Sequence, residues 1–237
     1  MSQAPARGLA NPATPAPSIP YRLKFETIRG CGGDIQLRSL LDRQQFYDPL
    51  GEAEREGISC AAWPIFGLLW PSSRVLAHVM LTLELGGKRI LELGCGLGLA
   101  SLVVHRRGGN ITASDCHPLA ADFLLENLKL NHLPAMKYQT GNWSRHNPLL
   151  GRFDLIIGSD VLYDRGQPQA LSQFIDLHAQ PDGEVLIVDP DRGNRVSFSR
   201  KMDSLGYSHT ETRIAMLPGA GGPYKGRLLR YLKVKTL

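Results

Sequence analysis

Between Lys88 and Val188, short apolar runs alternate with segments of helical periodicity, and that alternation leaves few folds open. Strands are expected at Lys88–Leu93, Asn110–Ser114, Met136–Thr140, Phe153–Ile157 and Glu184–Val188. Helices are expected at 97–107, 118–131, 167–179 and 195–205. A strand that returns to its sheet through a helix runs parallel to its predecessor, so the pattern predicts a mostly parallel sheet covered on both faces. The last two apolar segments, 208–216 and 226–234, are separated only by Pro218-Gly-Ala-Gly-Gly-Pro223 and should form an antiparallel hairpin at one side of that sheet.

Upstream, Ser72 to Leu83 carries apolar residues at 75, 76, 79, 80 and 83 on one helical face. Pro71 suits its first turn. Tyr21–Phe25 and Asp34–Arg38 alternate as strands do, and Gly30, Gly32 and Gly33 between them read as a hairpin loop. Asp42 to Glu56 is polar and reads as surface. Residues 1–20 hold five prolines and five alanines and read as a disordered tail. The expected organisation is therefore a tail (1–20), a hairpin with a surface extension (21–60) and one large α/β domain (61–237).

Composition excludes several classes. The 237 residues are 43% hydrophobic and 21% charged, ordinary for a globular chain long enough to fold without disulfides. No stretch approaches the roughly 18 apolar residues of a membrane helix, and the N-terminus lacks the apolar segment of a secretory signal. Cys31, Cys60, Cys95 and Cys116 show neither CxxC nor Cys/His ligand spacing, so no metal site is expected. Reduced thiols in the cytoplasm are expected instead. The net charge of +5 is too small to argue for nucleic acid, though it would help an acidic partner to dock.

The chemistry concentrates at Leu91-Glu-Leu-Gly94-Cys-Gly96-Leu-Gly98, where a strand turns into a helix. Glycines there permit a tight turn and close approach of a ligand to the backbone, at the carboxyl end of a strand where open α/β sheets bind ligands. Asp115 closes the next strand, where a carboxylate can accept both ribose hydroxyls. A dinucleotide fingerprint fails: its third glycine from Gly94 would be Leu99, and counting from Gly96 gives Ser101. Glu92, read as pointing toward the pocket, would repel a pyrophosphate but suit an ammonium or sulfonium.

Glu92-Leu-Gly-Cys-Gly-Leu-Gly98 with Ser114-Asp115 resembles the first two cofactor motifs of the seven-strand S-adenosylmethionine-dependent methyltransferases. Trp70-Pro71, Glu126-Asn-Leu-Lys-Leu-Asn131 and Ser159-Asp160-Val-Leu-Tyr163 narrow the resemblance to methyltransferase family 16, which is lysine-methyltransferase-like and marked by a D/E-x-x-Y motif. It covers roughly residues 60–235. It implies a Rossmann-like, seven-stranded class I sheet and S-adenosylmethionine as cofactor. It also implies that the backbone of Gly94, Cys95 and Gly96 faces the methionine part, that Gly98 belongs to the same cofactor-binding turn, and that Asp115 meets the ribose and Asn142 and Trp143 the adenine. Trp70, preferred over Trp63, and Ser159 would flank the cofactor.

Asp160 and Tyr163 are the expected catalytic residues. A lysine acceptor must be neutral to attack, which at pH 7 costs about 4.6 kcal/mol from an ordinary pKa near 10.4. A carboxylate favours ammonium, so Asp160 is assigned to orienting the amine and Tyr163 to shaping the channel. The loop Asp189-Pro-Asp-Arg192 either lines the acceptor entrance or forms a simple turn. A monomer acting on a protein side-chain nitrogen is the expectation. A small-molecule N-methyltransferase, a nucleotide-cofactor oxidoreductase and a non-catalytic cofactor-binding module remain alternatives.

Overall fold

The computed structural model describes residues 20–145, 147–219 and 221–234. The tail expected at 1–20 lies, but for Pro20, outside the described residues. A seven-stranded sheet forms the centre. Its strands are β3 (Arg89–Leu93), β4 (Asn110–Asp115), β5 (Lys137–Thr140), β6 (Phe153–Ser159), β7 (Ala179–Asp189), β8 (Tyr207–Met216) and β9 (Pro223–Lys233), in the order β5-β4-β3-β6-β7-β9-β8. The first five pair in parallel, while β9 runs antiparallel to both β7 and β8. The expected mostly parallel sheet and terminal hairpin are both present.

Strand parity builds two cores. Ile90 of β3, Leu155 and Ile157 of β6, and Leu186 and Val188 of β7 face one side. There they meet α2 (Pro71–Thr82), α3 (Leu99–Arg106) and α4 (Ala120–Leu130). Leu91 and Leu93, Ile156, and Val185 and Ile187 face the other side, under α5 (Gln167–His178) and α6 (Arg195–Ser204). Each buried leucine or isoleucine contributes about 1.5–3 kcal/mol, so both faces are strongly specified. Strand order reverses between β3 and β6, whose carboxyl ends therefore open a crevice beside each other.

A separate hairpin, β1 (Leu23–Ile28) with β2 (Ile35–Leu40), packs into the first core through Ile28, Ile35, Leu37 and Leu40. Two asparagines of the Glu126–Asn131 motif hold it there. Asn127, fully buried, accepts the Arg38 N–H (2.7 Å) and donates to the carbonyls of Arg38 (3.3 Å) and Leu97 (3.1 Å). Asn131 accepts from the Gln36 N–H and donates to the Gln36 carbonyl. The following segment, with α1 (Glu52–Arg55) and a short 3-10 turn at Trp63–Gly67, folds back over the crevice. Asp42–Glu56 is mostly exposed, as its polar composition predicts, while Arg43 and Glu56 line the cleft and complete its wall with residues distant in sequence.

Two boundaries differ from the sequence reading. The helix expected from Leu97 starts at Leu99, because Gly96 and Gly98 adopt left-handed conformations (φ 51° and 74°) that interrupt a right-handed helix. β7 starts at Ala179, directly after α5, and carries Pro181-Asp-Gly183 within an irregular stretch rather than a separating turn.

Replacing Asn127 with Ala strands three backbone groups of the hairpin and the glycine loop. Thermal unfolding of Asn127→Ala should reveal a loss of about 2–4 kcal/mol; unchanged stability would show that the hairpin is held by its apolar contacts alone.

Candidate active site

The glycine loop after β3 is held from β4. The Asp115 carboxylate accepts the Gly96 N–H on Oδ2 (2.8 Å) and the His117 N–H on Oδ1 (2.9 Å). Asp115 is only 7% exposed, and burial raises its pKa. Each oxygen keeps a lone pair for a further donor. The backbone passes so close to the 3-10 turn that a Cβ on Gly96 would sit 2.8 Å from the Phe66 carbonyl oxygen. Gly98 has a different reason to be glycine: a Cβ there would meet the Leu124 side chain at 2.4 Å.

Beside this loop lies a cleft of about 710 Å³, within the usual range of roughly 300–1,000 Å³ for small-molecule sites. Trp70, Gly94, Cys95, Gly96, Asp115, Asn142, Trp143, Ser159, Asp160 and Tyr163 all line it. Ten of the twelve sequence-predicted residues are thus brought together, and Gly98 and Glu92 are not. Trp63 is 1% exposed and belongs to the core.

Glu92 is a correction. It lies inside β3 with the parity of Ile90, so its side chain faces α3 rather than the crevice. The buried carboxyl accepts the Ser101 N–H (2.8 Å) and the Ser101 hydroxyl. Burial pushes its pKa up to about 7 despite those bonds. Its repulsion therefore cannot be what disfavours a pyrophosphate. A pyrophosphate would instead need the loop's backbone donors, and the Gly96 N–H is already committed to Asp115.

Several residues of the cleft were not singled out by sequence. Glu56 accepts from Asn142 Nδ2 (3.0 Å) and from Arg145 (3.1 Å). Asn142 Oδ1 takes the Ser144 N–H, so the acceptor expected to meet adenine already has a donor. His117 stacks on Phe66 with ring centroids 3.6 Å apart. Its Nδ1 accepts the Leu119 N–H, and burial lowers its pKa to about 3, so it is a neutral ring at physiological pH. Only His117, two residues beyond Asp115, carried a local signal; Arg43 and Glu56 had none.

A second groove of about 790 Å³ adjoins the cleft. Arg43, Leu68, Trp70, Asp160 and Arg192 border both and form the neck between them. Asp160 sits in the left-handed region (φ 56°), which aspartate tolerates better than most residues. The Arg43 guanidinium lies 4.7 Å from the centroid of the Trp70 ring, whose indole N–H is bound to the Ile65 carbonyl.

The residues present fit S-adenosylmethionine. Asp115 offers a buried acceptor for a ribose diol. Trp143, half-buried, offers an aromatic ring to the cleft. The glycine loop lets a ligand approach the backbone.

A model of the family described as lysine methyltransferase matches residues 52–204. The electron transfer flavoprotein beta subunit lysine methyltransferase of Mus musculus is 31% identical over 163 residues, 67% of this chain and 61% of that protein. The calmodulin-lysine N-methyltransferase of Arabidopsis thaliana is 28% identical over 156 residues, 60% of this chain and 51% of that protein. The chain thus spans between half and about three fifths of these relatives. Among solved structures, magnesium protoporphyrin IX methyltransferase from Synechocystis, with S-adenosylmethionine bound, superposes with a TM-score of 0.54 at 17% identity. That match covers 69% of this chain and 80% of that one.

A carboxyl raised from 4.5 to about 7 is more protonated in the folded than in the unfolded state, so Glu92 makes stability fall as pH rises between those values. The shift corresponds to roughly 3 kcal/mol. Glu92→Gln should therefore melt higher than the wild type at pH 8, with the gain fading toward pH 5. A gain equal at both pH values would contradict the assignment.

Proposed function

We propose, because the chain belongs to the lysine methyltransferase family, that it transfers a methyl group from S-adenosylmethionine to a lysine side chain of another protein. The observation that carries this reading is the neck: Asp160 stands where the cleft beside the glycine loop opens into the second groove, with Tyr163 lining the same cleft. S-adenosylmethionine, when bound, supplies an electrophilic methyl group. Asp115 would accept its ribose hydroxyls and Trp143 would cover its adenine. Trp70 would present an aromatic face near the sulfonium, an attraction of about 0.5–2 kcal/mol.

Positioning supplies much of the acceleration in a transfer of this kind. The groove leads a side chain inward, Asp160 orients the amine, and Tyr163 bounds the channel. The lysine proton departs to water, because a carboxylate bonded to a guanidinium, as Asp160 is to Arg192, is a poor base.

A protein acceptor with an acidic surface fits the groove. Its carboxylates are paired: Asp42 with Arg22 (2.7 Å), Asp160 with Arg192, and Asp191 with Arg195 and Arg227. Arg43 and Lys225 have no ion-pair partner among the described residues and would meet an acidic flank. Cys31, Cys60, Cys95 and Cys116 are all free thiols, which supports a reducing compartment, the cytoplasm.

Incubation with tritiated-methyl S-adenosylmethionine and cell extract should label protein, and mass spectrometry should place the methyl on lysine. Asp160→Asn and Tyr163→Phe should each lower turnover on the labelled acceptor by about ten-fold or more while leaving the cofactor KM nearly unchanged. Wild-type turnover in both variants, or label confined to small molecules, would overturn the reading.

A further inference from the structure

The neck contains a contact that spacing alone does not reveal. Arg192 Nε donates to Asp160 Oδ1 at 2.5 Å, and the Asp160 side chain is 9% exposed. The Arg192 backbone N–H donates to Asp189 Oδ1 at 2.7 Å, fixing the residue at the end of β7. Arg192 therefore ties the loop after β7 to the loop after β6, across the place where the two cavities meet.

This pairing changes the electrostatics of an acceptor site. An unopposed carboxylate raises the pKa of an amine beside it by about 1–3 units, holding it in the unreactive ammonium form. A carboxylate bonded to a guanidinium presents little net charge. We propose that Arg192 is a positioning residue for methyl transfer, orienting Asp160 and cancelling its charge so that the neck receives the acceptor amine in its neutral form. The proposal rests on the reading of the site as a lysine N-methyltransferase.

The surroundings agree with this role. Arg43, on the loop after β2, adds a second guanidinium at the neck, and a like charge disfavours ammonium. From β9, the Tyr224 hydroxyl is bound to Ser72 Oγ (2.8 Å), and Lys225 adds positive charge to the groove. Asp191 is shared by Arg195 of α6 and Arg227 of β9, at 3.5 and 3.2 Å. The Asp42 carboxylate is engaged by Arg22. On the cleft side, Asp115 holds two backbone donors, and burial pushes the Cys116 thiol up to about 12, so it stays neutral. Glu56 is paired with Arg145, and Asp164 caps the backbone at Gly166. Asp189 is the remaining carboxyl. It is fully buried, its Oδ2 has no partner, and burial pushes its pKa up to about 6. Its charge acts on Arg192 and strengthens that residue's protonation, after the larger effect of the bond to Asp160.

The test uses n-butylamine, which carries a lysine-like side chain. It is titrated by NMR into the full chain saturated with S-adenosylhomocysteine, at pH 7 and pH 9.5. The neutral fraction of an amine with a lysine-like pKa near 10.4 grows roughly 300-fold over that interval. Wild-type affinity should rise by more than about ten-fold with pH. Arg192→Gln should bind the ammonium form, with tighter binding than wild type at pH 7 and little change at pH 9.5. Arg192→Lys, which keeps the cation, should restore the steep rise. Wild-type affinity that is flat with pH or absent throughout, or an Arg192→Gln curve as steep as wild type, would overturn the proposal. Because binding is read without turnover, failure to label any protein in extract would sink the proposed function and leave this result to stand or fall separately.

Discussion

The carboxylate of Asp115 organises the region around it. By accepting the Gly96 and His117 N–H groups, it joins the turn after β3 to the turn after β4 and holds open the mouth of the crevice. The loop could not close this way with a side chain at Gly96, since the Phe66 carbonyl occupies that space. Phe66 in turn is placed by stacking on His117, which the same carboxylate fixes. A buried carboxylate with two charge-assisted bonds is stabilised enough to serve as both strut and ligand group.

Charge is managed differently at the opposite end of the cleft. There, three carboxylates meet three guanidinia, and the matching runs between elements: Asp160 with Arg192, and Asp191 and Glu211 with Arg195 and Arg227. The exposed members of such pairs contribute little to stability, about 0–1 kcal/mol each. Their consequence is electrostatic: a neck that contains aspartate yet carries no surplus negative charge.

Much of this was legible in the sequence, for identifiable reasons. Alternating periodicities gave the strands and helices, and the absence of a helix between 208–216 and 226–234 gave the terminal hairpin. The glycine turn and Asp115 are close in sequence to the strand ends that position them, so their meeting in one cleft follows from the topology. The direction of Glu92 depends on strand parity: it shares the face of Ile90 in β3, which turns its carboxylate toward Ser101 rather than the crevice. Arg43 and Glu56 were invisible because only tertiary folding brings Asp42–Glu56 over the crevice. The role of Asn127 and Asn131 as clamps on β2 was hidden in the same way, since their partners lie 89 and 95 residues away.

The central claim is that this cleft is an S-adenosylmethionine site organised by Asp115. Calorimetric titration of the full chain tests it most directly, with S-adenosylmethionine and NADH as ligands and Asp115→Ala alongside the wild type. The account predicts one S-adenosylmethionine per chain, no binding of NADH, and affinity lower by about ten-fold or more in the variant, as the loss of hydrogen bonds to a charged group implies. NADH binding in place of S-adenosylmethionine, or a variant that binds as tightly as wild type, would contradict it.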